Sequence, residues 1–304
     1  MSEPMAYEVR TSNDTLDGLP PLEPIPPRWV ENVLGPDSTD VDLGPHVRGT
    51  ASRNLLLVAT TIEQAASMTA DAVRARVTEA YQRISVALAA AERSPIRFWN
   101  FIPDLGRSMG PDIDRYMVFN AGRYDAFRRP GYALAGSLAT ASAVGIGGTD
   151  LVIYCLASST PGTPVENPRQ KSSWLYSSRY GPMPPCFSRA TIATIGSRSM
   201  LLIGGTASIV GEESRHPADP AAQLDETLQN IASVVTAAKG ATDDVAPALE
   251  RLVAIRAYVR HDEDAGLVRR ELSRRCPRVE RMELARARIC RPELLLEIEA
   301  VAEM

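Results

Sequence analysis

Prolines divide this 304-residue chain into stretches that can and cannot form regular secondary structure. They cluster in Leu19–Pro27, and six more, from Pro161 to Pro185, lie in the segment 159–188. Because proline lacks a backbone N–H and has a restricted φ, neither segment suits a helix interior or a central strand. We expect an extended N-terminal arm over residues 1–50. The loop at 159–188 has a length typical of a functional or a disordered segment.

Hydrophobic periodicity predicts a βαβ unit between the two proline-rich segments. Leu55–Thr61 is an apolar run of strand length, residues 62–92 show helical spacing, and Ile96–Ile102 is a second strand candidate. A further helix is expected at 113–127. We therefore predict an N-terminal α+β subdomain over residues 51–148.

The C-terminal domain, residues 149–304, is predicted to begin with a buried strand and to continue as ββαβαββ. The buried strand and the seven later elements are Leu151–Ala157, Ala190–Ile195, Met200–Gly205, Pro220–Lys239, Leu252–Val259, Asp262–Cys276, Val279–Ala285 and Leu294–Val301. Gly240 is a stop signal for the first of the two helices. The fold class is therefore α+β, with helices packed on one face of mixed sheets.

Composition excludes some classes of partner. The net charge of −4 argues against a nucleic-acid binder, which needs a clustered basic excess. The four cysteines are far apart without a CxxC pair, which is typical of free thiols in a reducing compartment. No signal peptide is visible at the N-terminus, and no apolar run reaches the length of a membrane span. We expect a cytoplasmic protein that binds neither nucleic acid nor membranes.

Motifs for the commonest cofactors are absent from the sequence. It has no GxxxxGK[ST] and no HExxH, its three histidines are widely spaced, and it has no GxSxG. We expect no metal and no cofactor, so that any chemistry depends on carboxylates, Tyr, Arg or a thiol.

The last predicted strand carries the most informative pattern. Alternation in Glu293–Glu299 places Glu297 and Glu299 on one face, with Leu294, Leu296 and Ile298 on the other. A solvated outer face is one interpretation. The other is that Glu297, flanked by apolar residues, is desolvated and has a raised pKa that suits a general acid. Cys290 is either a small buried hydrophobe or, because Pro292 interrupts the strand, a second group facing the same cavity.

Three further segments are candidate ligand contacts. Arg179, Tyr180 and Arg189 follow the long loop and form either an ordinary surface loop or a carboxylate clamp, because Arg donates paired hydrogen bonds to planar anions. Arg123 stands beside a flexible glycine. Gly205 and Thr206 end a strand with small residues, which lets a ligand approach the backbone closely.

These segments together resemble the chorismatase family of chorismate-cleaving enzymes. The resemblance covers about residues 50–304 and rests on eight ordered segments: Arg97–Pro103, Tyr116–Arg123, Pro164–Gln170, Tyr180-Gly-Pro, Pro185–Ala190, Gly205–Ser208, Glu213–His216 and Cys290–Ile298. The chain departs from the family in an N-terminal arm that looks shorter and in Glu212, where many members carry His.

The resemblance implies a fold similar to the YjgF-like enamine/imine deaminases, in a pseudo-trimeric arrangement within one chain, and a monomer. It implies chorismate as substrate, Glu297 as the acid that protonates the enolpyruvyl methylene carbon, and Arg and Tyr side chains as ligands of the two carboxylates. Members with a Cys at the position of Cys290 are associated with formation of 3-hydroxybenzoate and pyruvate. The alternative is hydrolysis to a 3,4-dihydroxycyclohexadiene carboxylate.

Two other classes of protein remain open. An enamine deaminase would share the fold and an Arg-held carboxylate, but would not need the acid at Glu297. A catalytically silent metabolite-binding protein would be stabilised by chorismate without releasing pyruvate.

Overall fold

Two units with the same arrangement of strands make up the described part of the chain. The computed structural model describes residues 19–128, 134, 136–240 and 244–304. The N-terminal half contains, in chain order, α1 (Arg28–Leu34), β1 (Thr39–Asp42), β2 (Arg48–Ala51), β3 (Leu55–Ile62), α2 (Ala70–Ala90), β4 (Ser94–Pro103), β5 (Ser108–Gly110), β6 (Ile113–Asp114), α3 (Arg115–Phe127), β7 (Thr140–Ile146) and β8 (Leu151–Ser158).

The C-terminal half continues with shorter elements around a second sheet. It contains β9 (Thr163–Val165), β10 (Ala190–Ile195), β11 (Arg198–Thr206), β12 (Ile209–Val210), β13 (Glu213–Ser214), α4 (Pro220–Lys239), α5 (Val245–Leu249), β14 (Leu252–Val259), α6 (Ala265–Arg275), β15 (Arg281–Arg286) and β16 (Leu296–Glu303).

The two six-stranded sheets match strand for strand. The first has the order β1-β2-β3-β8-β4-β7 and the second, read from its other edge, β9-β10-β11-β16-β14-β15. Each sheet is antiparallel except for one parallel pair, β4 with β7 and β14 with β15. Parallel neighbours need a long crossover, which α3 supplies in the first unit and α6 in the second. Two sheet-and-helix units therefore repeat within one chain.

Helices cover the outer faces, and the inner faces of the two sheets pack together. Leu296, Ile298 and Ala300 of β16 pack in one core with α4 and α6, whereas Val301, from the opposite face, packs with Trp99 of β4. The predicted α+β class, with helices on one face of mixed sheets, is confirmed. The functionally important positions are those on the inner faces, where the two units meet.

Several predicted boundaries were wrong. The domain boundary at 148 separates β7 from β8, but both belong to the first sheet, where β8 pairs with β3 and β4, so that the first unit extends to Ser158. Within the expected arm of residues 1–50, α1, β1 and β2 form regular structure, and residues 1–18 lie outside the described residues. The helix expected at 62–92 is α2, since Ile62 ends β3.

The long segment at 159–188 is ordered. It contributes β9 to the second sheet and two 3₁₀ turns, Ser173–Leu175 and Ser178–Tyr180. Hydrogen bonds between Ser173 and the backbone of Phe187 close it into a compact loop, with Oγ to the carbonyl at 2.6 Å. This loop forms one wall of the cavity described below.

Candidate active site

A cavity of about 260 Å³ lies where the two units meet. The first unit contributes residues of α3 and β7. The second contributes the loop at 170–189, the end of β11, and residues 290–297 before and in β16. Of the predicted site residues, the cavity brings together Glu297, Cys290, Arg123, Arg179, Tyr180, Arg189 and Gly205.

Glu297 is a buried carboxyl group that faces this cavity. Its exposed fraction is 5%, and no described residue donates a hydrogen bond to it in the structure. Burial, with the negative charge of Glu299 as a second cause, raises the pKa of Glu297 to about 8, while Arg97 acts in the opposite direction. The carboxyl group is therefore protonated at neutral pH and able to donate a proton.

Glu299 lies two residues further along β16 on the same face, in a very different environment. It accepts hydrogen bonds from four groups of three strands: Arg97 at 2.5 Å, Ser142 at 2.7 Å, Tyr258 at 2.9 Å and Trp99 at 3.2 Å. The inner face of β16 is thus a buried polar layer, and the solvated-face interpretation does not apply to Glu297 and Glu299. The two carboxyl groups have separate electrostatic surroundings, which is typical of sites that assign them different roles.

Gly205 makes room for the acid. A β-carbon at this position would stand 1.8 Å from Oε1 of Glu297, so that only glycine leaves space for the carboxyl group. The N–H of Gly205 donates to Oγ of Ser142 at 3.0 Å, which fixes the backbone there. Thr206 is not among the residues that line the cavity; its hydroxyl donates to the carbonyl of Gly204 at 2.9 Å.

Arg123 is a buried cation without full hydrogen bonding. Its exposed fraction is 2%, and its Nε and Nη2 have no hydrogen-bond partner among the described residues. Its guanidinium carbon lies 5.1 to 5.7 Å from three aromatic ring centroids, those of Tyr81, Phe98 and Phe127. Cation–π contacts hold the group in place but leave its hydrogen bonds unsatisfied, so Arg123 is suited to bind a carboxylate.

The other predicted arginines lie at different depths. Arg189 is buried and donates to the carbonyl of Lys171 and the hydroxyl of Tyr176, each at 2.7 Å. Arg179 is exposed at the rim and forms an ion pair of 2.8 Å with Glu213. Arg179 therefore lies in an exposed loop, as the surface-loop interpretation predicts, whereas Arg189 forms part of the inner wall of the cavity.

Arg291 is a cavity residue that sequence reasoning missed. It is 8% exposed and lies 3.8 Å from the ring centroid of Tyr180, and its Nη1 donates to the carbonyl of Glu212 at 2.8 Å. The carboxyl of Glu212 in turn accepts from the N–H of Ser177 at 2.9 Å, so this departure from the family pattern contacts the cavity residue Arg291 through its carbonyl and does not itself line the cavity. The available signal was the place of Arg291 next to Cys290, within the segment Cys290–Ile298.

Tyr116 and Asn120, both on α3, were also missed as individual site residues, although they lie in the segment Tyr116–Arg123. They line the cavity, and the amide of Asn120 lies beside the hydroxyl of Tyr116. Burial raises the pKa of Tyr116 well above its usual value, so its hydroxyl is neutral. Both side chains add uncharged donors beside the guanidinium groups.

Cys290 is a neutral thiol at the cavity wall. It precedes β16 and is partly exposed to the cavity. Burial, and next the charge of Glu297, raise the pKa of the thiol to about 12. Because the thiolate is the nucleophilic form, a thiol with so high a pKa is poorly suited to act as a nucleophile.

Among the described residues, no group of three or more His, Cys, Asp or Glu side chains is arranged to hold a metal ion. Among the helices in that part of the chain, none combines the length and hydropathy required to cross a bilayer.

The fold and the cavity define a class: an α+β protein with a buried, protonated carboxyl group and several guanidinium groups facing one small cavity. The family model described as "Chorismatase FkbO/Hyg5-like, N-terminal" matches residues 37–157. A 3-hydroxybenzoate synthase of Streptomyces hygroscopicus is 34% identical over 217 residues, which cover 68% of this chain and 63% of the relative. A chorismatase of Streptomyces rapamycinicus is 33% identical over 210 residues, with 67% and 63% covered.

A solved chorismatase structure has the same fold. It aligns with a TM-score of 0.72 at 24% identity and covers 87% of this chain and 78% of its own. The chain belongs to the chorismatase family. The matched region spans 63% of the length of the two curated relatives.

Proposed function

We propose that the protein is a chorismatase that converts chorismate to 3-hydroxybenzoate and pyruvate. The observation that carries this proposal is the pairing, in one cavity, of a buried protonated carboxyl at Glu297 with the unsatisfied guanidinium of Arg123. Chorismate is a dicarboxylate with an enolpyruvyl ether. Cleavage of its ether therefore needs a proton donor, and binding of its two carboxylates needs cationic ligands.

In the proposed reaction, the proton of Glu297 goes to the methylene carbon of the enolpyruvyl group. The positive charge that develops on the ether carbon makes pyruvate a leaving group. The 4-hydroxyl of the substrate then displaces it, and the ring aromatises through an epoxide-like intermediate. The two products together contain all the atoms of chorismate, so no water is consumed. Arg123, Arg189 and Arg291 are the proposed ligands of the two carboxylates, because buried guanidinium groups bind carboxylates strongly.

Formation of 3-hydroxybenzoate is favoured over hydrolysis by two observations. Cys290 is an uncharged thiol at the cavity wall, and we infer that its bulk keeps an attacking water away from the substrate. In addition, a relative that is 34% identical carries the name 3-hydroxybenzoate synthase. Hydrolysis to the cyclohexadiene diol remains the second candidate.

Incubation of the purified chain with chorismate, followed by chromatography and a pyruvate assay, tests the proposal. Equal amounts of pyruvate and 3-hydroxybenzoate are expected. Pyruvate with the non-aromatic diol would retain Glu297 as the acid and refute the role of Cys290. Unchanged chorismate that nevertheless raises the melting temperature would favour the binding protein. Deamination of an enamine substrate that is unchanged in Glu297→Gln would favour the deaminase-like alternative.

A further inference from the structure

Glu299 has no place in the proposed reaction, although it is held more tightly than any other carboxyl group described above. It is 3% exposed, and its two oxygens accept hydrogen bonds from β4, β7 and β14. A buried ion pair such as Arg97–Glu299 is costly to desolvate and contributes little net stability. Its presence beside a buried acid therefore calls for a functional explanation.

We propose that Glu299 is a positioning residue for the acid: a fixed anion that keeps the Glu297 carboxyl protonated and aimed into the cavity. This inference rests on the proposed function of Glu297. The geometry supports it, because alternation in β16 places both carboxyl groups on the face that points toward the first unit. A fixed negative charge two residues away on the same face of the strand disfavours ionisation of the Glu297 carboxyl group.

Ser142 links the fixed anion to the acid mechanically. Its hydroxyl donates to Glu299 and accepts from the N–H of Gly205, at 2.7 and 3.0 Å. Gly205 in turn packs against the carboxyl of Glu297, where no β-carbon would fit. One hydroxyl group from the first unit thus sets the distance between the strand end at Gly205 and the two glutamates of β16.

Charged and titratable groups of several elements surround Glu297. Arg97 of β4 favours the ionised form of Glu297, whereas Glu299, on β16 with Glu297 itself, disfavours that form and has the stronger effect of the two. Tyr116 of α3 and Cys290 before β16 also face Glu297, but both are neutral, because burial raises the pKa of each. The cavity wall also carries the guanidinium groups of Arg123, Arg179, Arg189 and Arg291 and the carboxyl groups of Asp114 and Glu293, and none of these is among the charges that shift the pKa of Glu297. Glu299 is therefore the group whose removal should change the ionisation of Glu297 most.

The test compares pyruvate release by wild type and Glu299→Gln from pH 6 to pH 9. Loss of a neighbouring charge should lower the pKa of Glu297 by about one pH unit or more. Activity at pH 8 should then fall about fivefold beyond any change at pH 6, because the protonated fraction drops from about one half to about one tenth. An equal loss at both pH values would indicate a merely structural role and overturn the proposal.

Three further variants separate charge from folding. Glu299→Gln leaves Arg97 without its ionic partner, and the double variant Arg97→Gln/Glu299→Gln removes both charges. The alkaline limit, which is the pH above which pyruvate release falls, should therefore lie in the double variant between its values in Glu299→Gln and in wild type. Ser142→Ala keeps all charges and should keep the wild-type alkaline limit, while its kcat falls. Glu303→Gln, on the same strand but paired with Arg198, is the matched control and should change neither. A shift in Ser142→Ala as large as in Glu299→Gln would overturn the electrostatic explanation.

Infrared difference titration of the protonated carboxyl band provides a readout that does not depend on turnover. The band that disappears in Glu297→Gln identifies the acid, and in Glu299→Gln it should titrate at lower pH than in wild type. If wild type releases no pyruvate but the band shifts as expected, the proposed function fails and the inference about Glu299 stands. A band that titrates identically in both proteins would refute the inference alone.

Discussion

Gly205 and Glu297 approach each other so closely that a β-carbon on Gly205 would stand 1.8 Å from the carboxyl oxygen. The contact joins the end of β11 to the start of β16, two neighbouring strands whose pairing shifts register between Ile203 and Thr206. The irregular pairing and the missing side chain together create the space that the acid occupies. Substitution of this glycine is therefore a direct test of the geometry of the site.

Gly205→Ala should displace the carboxyl of Glu297 and lower kcat by about 100-fold, because a misplacement of about 1 Å costs that much in a preorganised site. Steady-state pyruvate release measures the effect, and thermal unfolding checks that the fold is retained. Gly147→Ala is the matched control, since a β-carbon at Gly147 meets no atom within 4 Å. Wild-type kcat in Gly205→Ala would mean that Glu297 has another productive position.

The raised pKa of Glu297 predicts the pH dependence of the reaction. Because the proposed reaction uses the protonated form of Glu297, kcat should be constant below the pKa of about 8 and fall tenfold per pH unit above it. Glu297→Gln should lower kcat by about 10² to 10⁴-fold at every pH. A pH–rate profile that rises through pH 8 would identify Glu297 as a base instead.

Glu297 should also link stability to pH. Its folded-state pKa of about 8 lies above the ordinary value of 4.5, so the folded state binds the proton more tightly than the unfolded state. The stability that this group contributes is fully present below pH 4.5 and is lost progressively as the pH rises to 8. Relative to Glu297→Gln, wild type should lose about 1.4 kcal/mol of unfolding free energy per pH unit in that range.

Denaturant unfolding of both proteins at pH 5, 6, 7 and 8 measures this difference. Since groups elsewhere titrate equally in the two proteins, the difference between them isolates Glu297. A difference that does not vary with pH would show that the carboxyl is not held protonated by the fold.

Sequence patterns predicted the second unit better than the first. The bounds of α4 were predicted correctly, because Asp219 caps its first turn, Pro220 begins it and Gly240 adopts the left-handed conformation that ends it. By contrast, β1 has three exposed residues in four, and β7 consists largely of small residues. Neither has the alternation by which a strand is recognised, so the repeated topology of the two units was not visible.

The site shows the same division between local and long-range information. The alternation of β16 indicated Glu297, and the strand end indicated Gly205, because each signal lies within one element. Arg291 contacts Tyr180 across the cavity, and the network around Glu299 joins four strands of two sheets. Such contacts depend on how the two units pack against each other, and local periodicity in the sequence does not predict that packing.

Cys290→Ala tests what determines the product. Removal of the thiol makes room beside the reacting ring, so we expect pyruvate release to persist while the product shifts from 3-hydroxybenzoate toward the cyclohexadiene diol. Chromatography of the products measures the ratio. Cys290→Ser, which keeps the size and polarity, is the matched control and should retain mostly 3-hydroxybenzoate. An unchanged ratio of 3-hydroxybenzoate to diol in Cys290→Ala would mean that Cys290 does not determine the product.

The thiol should also be unreactive, because the pKa of about 12 leaves almost no thiolate at neutral pH. Brief treatment with iodoacetamide at pH 7 should leave activity intact. Rapid inactivation, absent in Cys290→Ser, would contradict the neutral state of this thiol.

Arg123→Met should have opposite effects on stability and on substrate binding. In the free protein the substitution removes a buried cation whose Nε and Nη2 lack partners, so the melting temperature of the unliganded protein should rise. Substrate binding should weaken by about 2 kcal/mol or more, which is a roughly 30-fold increase in KM, because a substrate carboxylate would lose its buried partner. Arg179→Met, which removes an exposed cation at the rim, should increase KM far less. Thermal unfolding with and without chorismate, together with KM for pyruvate release, measures both effects. A destabilised Arg123→Met with an unchanged KM would mean that Arg123 supports the aromatic core and does not bind substrate.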